Sequence, residues 1–385
     1  MKILYVASDQ HIPGRTGGSV HVEEVARGLS ERGHEVHVVA LSSGGKPPSS
    51  FELHPSPTLL EHRFFRWTAR RGVGELLDRL GIDAVMERYY NFAGEGVGAA
   101  YQRGIPALLE INAPLKDHPG SLKNTLDRLA LLRPMQRLRD AMCEKASALV
   151  TPLPSIVPDD VPVEKVHRVR WGANVDRFGP NVERKPLPIP DDRQVVVFSG
   201  SFRPWHGADR LVRCAAKLPD AFFLFVGDGP RLGEAIALAE EIGVSERVLF
   251  TGAVPYDEVP AYLKWADVGV APYQPARLKQ MQLGFFWSPL KIFEYMAMGL
   301  PVVSLDVAPL REIIRGSEGT LVSEGDIDGI DGMAEAIRAL VNDTESARAK
   351  GRSARERVVA EFSWKRHCEE LERILLGLLA KKNAS

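Results

Sequence analysis

Cysteine, excess charge of either sign and long apolar runs are all scarce in this sequence. Its three cysteines, Cys143, Cys214 and Cys368, stand far apart among 385 residues. They have neither metal-ligand spacing nor obvious pairing, which argues against a disulfide scaffold or zinc ribbon and fits a reducing compartment. Forty-nine basic side chains meet 50 acidic ones, so the general attraction for polyanions that marks a nucleic-acid binder is missing. No apolar run approaches the roughly 20 residues that span a bilayer, and the chain enters a strand directly at Lys2-Ile-Leu-Tyr-Val-Ala without a cleavable leader. The expectation is a cytoplasmic protein that at most rests on the inner face of a membrane. No GxGxxG fingerprint follows the first strand, which counts against nicotinamide or flavin binding. The Asp-x-Asp at Asp326-Ile-Asp328 stands in a late acidic loop away from any nucleotide motif, so no catalytic metal and no cofactor are expected.

What is present is a repeated alternation of short apolar runs with amphipathic segments. The length favours two domains, and the alternation is that of parallel sheets covered by helices on both faces. In the first half the pattern predicts strands at Ile3–Ala7, Glu35–Leu41, Ala84–Glu87, Ala107–Ile111 and Ala148–Thr151. A helix opens near Ser19 and buries Val22, Val25, Ala26 and Leu29 before ending at Gly33. The proline-rich stretch 44–57 reads as a surface loop. In the second half strands are expected at Gln194–Ser199, Phe222–Val226, Val248–Thr251, Val268–Ala271, Pro301–Leu305 and Thr320–Val322, with helices between them. The interdomain hinge is placed in the proline-rich segment 178–192. The expected domains are 1–175, 176–362 and a tail helix over 363–385.

One stretch organises the rest, Ser288-Pro-Leu-Lys-Ile-Phe-Glu-Tyr-Met-Ala-Met-Gly299. Ser288 suits a helix cap and Pro289 the first helical position, while Gly299 suits the stop before a buried strand. The free N–H groups of Leu290 and Lys291 form an anion site, to which Lys291 adds a mobile positive charge. A helix end alone is worth only about 0.3–1 kcal/mol to an exposed anion, so a diphosphate needs further donors. Glu294, one turn on, can accept two hydroxyl hydrogen bonds from a ribose. Gly14, Gly17 and Gly18 lie between the first strand and first helix, where glycine permits positive φ and close approach to a phosphate or sugar. Gly227 belongs to a tight turn, Gly227-Asp-Gly-Pro, at a strand end.

Taken in order, these motifs, together with Glu110-Ile-Asn-Ala-Pro-Leu, Asn174-Val-Asp-Arg-Phe, Gly200-Ser-Phe-Arg-Pro-Trp-His-Gly and Phe250-Thr-Gly-Ala-Val, resemble the retaining family 4 glycosyltransferases (glycosyl transferases group 1) over nearly the whole length. The resemblance implies a GT-B fold, α/β, with two Rossmann-like doubly wound domains facing a cleft and a C-terminal helix crossing back to the first. It implies metal-independent transfer from a nucleoside-diphosphate sugar, UDP- or GDP-linked, to a hydroxyl of a glycan, lipid-linked or small-molecule acceptor. The sugar nucleotide is a co-substrate, and no nucleic acid takes part. In similar enzymes the Gly17-Gly18 loop closes over the diphosphate, and main-chain groups near Val254 read the base. Relatives often carry arginine and lysine where this chain has Ser201 and His206, so Arg203 is expected to supply the charge and His206 a hydrogen bond, or a charge if protonated. Of the two glutamates common in relatives, only Glu294 is present, because position 286 is Phe286, which with Trp287 and Ser288 would line the diphosphate and sugar pocket. Asn112 replaces an acceptor-side histidine and can orient a sugar hydroxyl, though it cannot act as a base. His118 can titrate, or is merely exposed. Glu110 reads either as a cleft carboxylate or as an anchor for a neighbouring amide or arginine.

The segment Arg63-Phe-Phe-Arg-Trp-Thr-Ala-Arg-Arg71 interleaves arginines with aromatics, and 116–139 adds more basic residues. These form either a face for anionic lipid or a helix with core aromatics and solvated arginines. Two other classes share the architecture: a nonhydrolysing sugar-nucleotide epimerase, which needs an acid and a base around the donor sugar, and a noncatalytic sugar-nucleotide-binding protein.

Overall fold

The computed structural model describes residues 1–384 except 15, 46–47, 59–62, 91–92, 116–119, 131–132, 284, 286–288 and 324–329. It divides into two compact units. The first comprises Met1–Trp171 with the C-terminal helix Trp364–Ala384, and the second comprises Gly172–Phe285 with Pro289–Ser363. The proline-rich stretch 178–192 lies wholly within the second unit.

The first unit is built on seven parallel strands, β1 (Lys2–Ile12), β2 (Glu35–Ser42), β3 (Glu52–Pro55), β4 (Ala84–Arg88), β5 (Ala107–Glu110), β6 (Ala148–Thr151) and β7 (Val166–Arg168), in the order β3-β2-β1-β4-β5-β6-β7. Strand β3 lies inside the stretch read as a loop. Of the four prolines in that stretch only Pro55 belongs to the strand, as its last residue, and an edge strand with polar side chains gives little apolar signal. The second unit repeats the order with β8 (Gln194–Ser199), β9 (Ala221–Val226), β10 (Val248–Phe250), β11 (Val268–Ala271), β12 (Val302–Leu305) and β13 (Gly319–Val322), arranged β10-β9-β8-β11-β12-β13. Both sheets therefore reverse direction between their first and fourth strands, the point at which doubly wound sheets open a crevice outside the strand ends.

Burial explains why these runs are strands. Val196, Val197 and Phe198 of β8 and Phe223, Leu224 and Phe225 of β9 are all fully buried, as both faces of a parallel sheet require. Helix Gly17–Glu31 buries the expected stripe Val22, Val25, Ala26 and Leu29. The helix Thr344–Glu361, too rich in charge to show a broad apolar face, buries only Ala347, Gly351, Ala354, Arg357 and Val358.

The C-terminal helix packs on the first unit. Trp364, His367, Cys368, Leu371, Ile374 and Leu375 form its buried stripe. A Cβ on Gly28 would lie 2.5 Å from the Cys368 sulfur, so glycine lets this helix press against helix Gly17–Glu31. Arg32 Nε donates to Glu372 at 2.9 Å and fastens the same pair of elements. All three cysteines are free and buried.

Candidate functional site

In the second unit, chemistry gathers at the reversal point of the sheet. Helix Leu290–Ala297 begins there, one residue later than expected. Pro289 takes the cap position and its carbonyl accepts from Ile292 N–H at 3.0 Å. The intended cap Ser288, with Phe286 and Trp287, lies outside the described residues. The N–H groups of Leu290 and Lys291 have no acceptor within the helix. The helix is buried on all sides from Lys291 to Ala297, and Gly299 ends it with φ +75°.

Lys291 is not the mobile surface cation that its sequence position suggested. It is 7% exposed, and its Nζ lies 3.9 Å from the ring centroid of Phe198, at the end of β8, and 5.6 Å from that of Tyr273, just past β11. Among the described residues that ammonium has no hydrogen-bond partner. Burial pushes its pKa down to about 7, with Glu294 opposing the shift. Buried Glu294 accepts a hydrogen bond from Tyr256 Oη at 3.0 Å.

The neighbouring backbone is shaped around this ammonium. Gly200 has φ +119°, and a Cβ there would stand 3.3 Å from Lys291 Nζ. Gly227 has φ +129°, and its Cβ would strike the Gly200 carbonyl at 2.3 Å. Both positions therefore demand glycine. Tyr295, on the same helix, accepts from Ser199 N–H at 2.7 Å and ties the last residue of β8 to the helix. Val254 lies half-buried in the turn after β10.

His206 departs from its expected optional charge. Its Nδ1 bonds the Ser201 carbonyl, and burial, followed by the nearby Lys291 charge, pushes its pKa down to about 3. It is a neutral hydrogen-bonding group at physiological pH. Exposed Arg203 lies over Trp205 at 6.0 Å. Its side chain lines a groove of about 560 Å³ with Arg231 and Arg277, and the residues around that groove do not include Lys291.

The first unit carries a second polar cluster beyond β5. Glu110 is buried and accepts from Tyr5 Oη at 2.6 Å, while His21 Nε2 stands 3.1 Å away. Arg88 donates to His21 Nδ1 at 3.2 Å, so a neutral ring keeps its proton on Nε2, toward Glu110. Burial works to raise the Glu110 pKa, but His21, Arg88 and Tyr5 outweigh it and hold the carboxyl at about 2. Glu110 is thus an ionised anchor whose partners are a histidine and a tyrosine.

Trp171 stacks on His21 with centroids 4.2 Å apart and donates from Nε1 to Asn112 Oδ1 at 3.2 Å. Indole can only donate, so the Asn112 carbonyl must face it. The Asn112 Nδ2 atom is buried and has no partner among the described residues. His118 lies outside the described residues, as does Asp326-Ile-Asp328.

Two expectations for this unit change. Gly17 and Gly18 form the first turn of helix Gly17–Glu31, capped by Thr16, and do not use positive φ. A Cβ on Gly18 would meet only the far end of the Gln10 side chain, Oε1 at 2.3 Å. In the basic aromatic stretch Arg66 is fully buried, 2.7 Å from Glu95, 3.3 Å from Glu87 and 3.4 Å from Asp9, while Trp67 is 58% exposed. Three carboxylates around one guanidinium draw that arginine inward, and sequence spacing gave no sign of it.

Residues 15–157 match the family described as Glycosyltransferase Family 4, and residues 193–343 match Glycosyl transferases group 1. The chain is 30% identical over 215 residues to the GDP-mannose-dependent alpha-(1-6)-phosphatidylinositol monomannoside mannosyltransferase of Mycolicibacterium smegmatis, covering 54% of this chain and 55% of that one. It therefore spans only about half the length of that relative. It is 27% identical to D-inositol 3-phosphate glycosyltransferase 1 of Catenulispora acidiphila, over 94% of this chain and 90% of the other. Among solved structures, sucrose-phosphate synthase from Thermosynechococcus elongatus superposes with a TM-score of 0.72 at 20% identity, covering 99% of both chains. Anabaena HepE in complex with UDP and glucose does so with 0.73 at 16% identity, over 97% of this chain and 99% of that one. These two likenesses establish the fold, which is of the GT-B type. The two matched segments and the paired sheets together place the chain in the group 1, family 4 glycosyltransferases.

Proposed function

We propose that this chain is a retaining glycosyltransferase that moves a sugar from a UDP- or GDP-sugar to a hydroxyl of a glycan, glycolipid or small-molecule acceptor. The observation that carries the reading is Lys291, a buried ammonium with no hydrogen-bond partner among the described residues, at the start of a helix and at the reversal point of a doubly wound sheet. Such a group is costly to bury unless an anion completes it. A diphosphate satisfies the ammonium and the free N–H groups of Leu290 and Lys291 together.

In this reading Glu294 accepts the ribose hydroxyls, and the turns at Gly227 and Val254 receive the base. Ser201, Pro289 and neutral His206 border the phosphates. As the glycosyl bond breaks, negative charge grows on the leaving diphosphate, where Lys291 and Arg203 stabilise it in the role a metal plays elsewhere. Arg203 reaches the phosphates by turning out of its groove. The acceptor hydroxyl attacks from the face the diphosphate leaves, and the departing phosphate takes its proton. Asn112 Nδ2 donates to a sugar hydroxyl and fixes its orientation.

The named relatives support this donor class: one uses GDP-mannose, and a fold neighbour was solved with UDP and glucose. Lipid acceptors fit the helix Leu122–Leu129. Its Leu122, Leu126 and Leu129 are 80%, 59% and 73% exposed, next to exposed Arg128, Arg133 and Arg137. An apolar stripe edged by arginine suits an anionic membrane surface.

The test is incubation with single UDP- and GDP-sugars, following thermal stability and release of free nucleoside diphosphate. One donor should raise the unfolding midpoint and be slowly hydrolysed. If none stabilises the chain and no nucleoside diphosphate is released, the reading fails. Interconversion of sugar nucleotides without release identifies an epimerase instead.

A further inference from the structure

A cluster at the far edge of the first sheet has no part in the donor or acceptor chemistry. Parallel pairing of β2 with β3 sets His37 opposite Glu52 and Val39 opposite His54. Side chains two residues apart share a face, so His37, Glu52 and His54 project together. His37 Nδ1 lies 3.0 Å from His54 Nε2 and 3.3 Å from one Glu52 carboxylate oxygen, while His54 Nε2 lies 3.6 Å from the other. The side chain of His37 is 3% exposed, that of His54 12% and that of Glu52 63%. The two imidazoles form a sheltered floor, and the carboxylate stands open to water.

The other ring nitrogen of His37, Nε2, is 3.1 Å from Glu35 Oε1. An ionised carboxylate only accepts, so Nε2 carries a proton and Nδ1 of the neutral ring presents a lone pair. That lone pair faces the Glu52 carboxylate, another acceptor. Two acceptors this close repel unless something positive lies between them. Without an added ion, only a proton on His37 Nδ1 or His54 Nε2 can fill the gap. The surrounding cations do not enter it: Lys2 is held by Glu35 at 3.3 Å, and Arg79 acts on His54 from its own helix.

We propose that His37 Nδ1, His54 Nε2 and the Glu52 carboxylate form a site for a divalent late first-row transition ion, Zn²⁺ or Ni²⁺, with water completing the shell. Metal–nitrogen bonds of about 2.0–2.1 Å across the 3.0 Å nitrogen separation give an N–M–N angle of about 95°. That angle suits five- or six-coordination, and the exposed side supplies room for water ligands. Binding displaces the proton on His54 Nε2 to solvent. Glu35 orients His37 through its second nitrogen, the outer carboxylate that metal-bound histidines commonly have. The bound ion ties the four-residue edge strand β3 to β2. The proposal is independent of the transferase reading.

Isothermal titration of the chelator-stripped full chain with ZnCl₂ and with NiCl₂ tests the site. One ion should bind per chain and raise the unfolding midpoint of the first unit. His54→Gln and Glu52→Gln should weaken binding at least tenfold and several-fold respectively, and Glu35→Gln about tenfold through loss of orientation. His37→Gln alters a buried residue, so the decisive variants are the exposed Glu52→Gln and the near-surface His54→Gln, each checked for native circular dichroism. If the unaltered chain takes up neither ion, or if both decisive variants bind with unchanged affinity, the proposal is overturned.

Discussion

The buried ammonium of Lys291 makes donor binding depend on pH in a calculable way. Its pKa in the free chain is about 7, whereas a diphosphate 3 Å away would restore it toward the ordinary lysine value near 10.4. If only the protonated form binds the donor, the apparent dissociation constant grows as one plus ten to the power of pH minus 7. Between pH 6 and pH 8.5 that is a weakening of about 30-fold, or about 2 kcal/mol. His206, at about 3, stays neutral throughout, and a sugar nucleotide is a diester without a titrating phosphate in this window. Titrating a UDP- or GDP-sugar across the range isolates Lys291. Lys291→Gln should bind weakly at both ends and lose the slope. A flat profile in the unaltered chain, or an equal slope in Lys291→Gln, would refute the reasoning. Stability supplies a check of opposite sign. The folded pKa lies below the unfolded one, so the stability of the neutral amine is present above about pH 10.4 and is lost as pH falls toward 7. Lys291→Met should therefore stabilise the second unit at pH 7, by at most about 4 kcal/mol, and by almost nothing at pH 10.5.

Glu294→Ala should weaken donor affinity by about 10- to 100-fold through loss of charge-assisted hydroxyl bonds, measured by calorimetry, with the fold retained. Asn112→Ala should lower turnover about 10- to 100-fold and leave donor affinity within about twofold, which steady-state kinetics beside donor titration will read. Replacing Leu122, Leu126 and Leu129 together by Gln should abolish cosedimentation with vesicles rich in anionic lipid and leave thermal stability unchanged, because all three side chains are already exposed. Arg66→Met should destabilise the first unit by about 3–5 kcal/mol, since Asp9, Glu87 and Glu95 lose their shared cation. Denaturant unfolding checks it.

The sheets were legible because strands buried on both faces must be written as apolar runs, and β6, β8 and β11 fall where those runs lie. Strand β3 was not, because an edge strand needs no such run: Glu52-Leu-His-Pro55 exposes both ends to solvent and takes its conformation from pairing with β2. The helix at Pro289 was legible from its proline and its closing glycine. The state of Lys291 was not, because the rings that bury it belong to Phe198 and Tyr273, distant in sequence. Arg66 was misjudged for the same reason, since Asp9, Glu87 and Glu95 reach it from three other elements. Resemblance marked Asn112, but only the structure shows its carbonyl engaged by Trp171 and its amide buried without a partner among the described residues.

Two unsatisfied polar groups, one in each unit, carry the functional argument, and their cost is what gives them meaning. Folded chains pair nearly all of their buried donors. Asn112 Nδ2 and Lys291 Nζ are nevertheless both buried without a hydrogen-bond partner among the described residues. Around Asn112, the chain from Glu110 through His21 to Trp171 fixes the carbonyl so that rotation cannot relieve the amide. Around Lys291, glycine at 200 keeps a side chain out of the space beside the ammonium, glycine at 227 makes room for the Gly200 carbonyl, and Tyr295 pins the strand end before Gly200. Each arrangement holds one donor in place and withholds its acceptor. On the proposed reading, a sugar hydroxyl suits the neutral amide of the first unit and a phosphate suits the cation of the second.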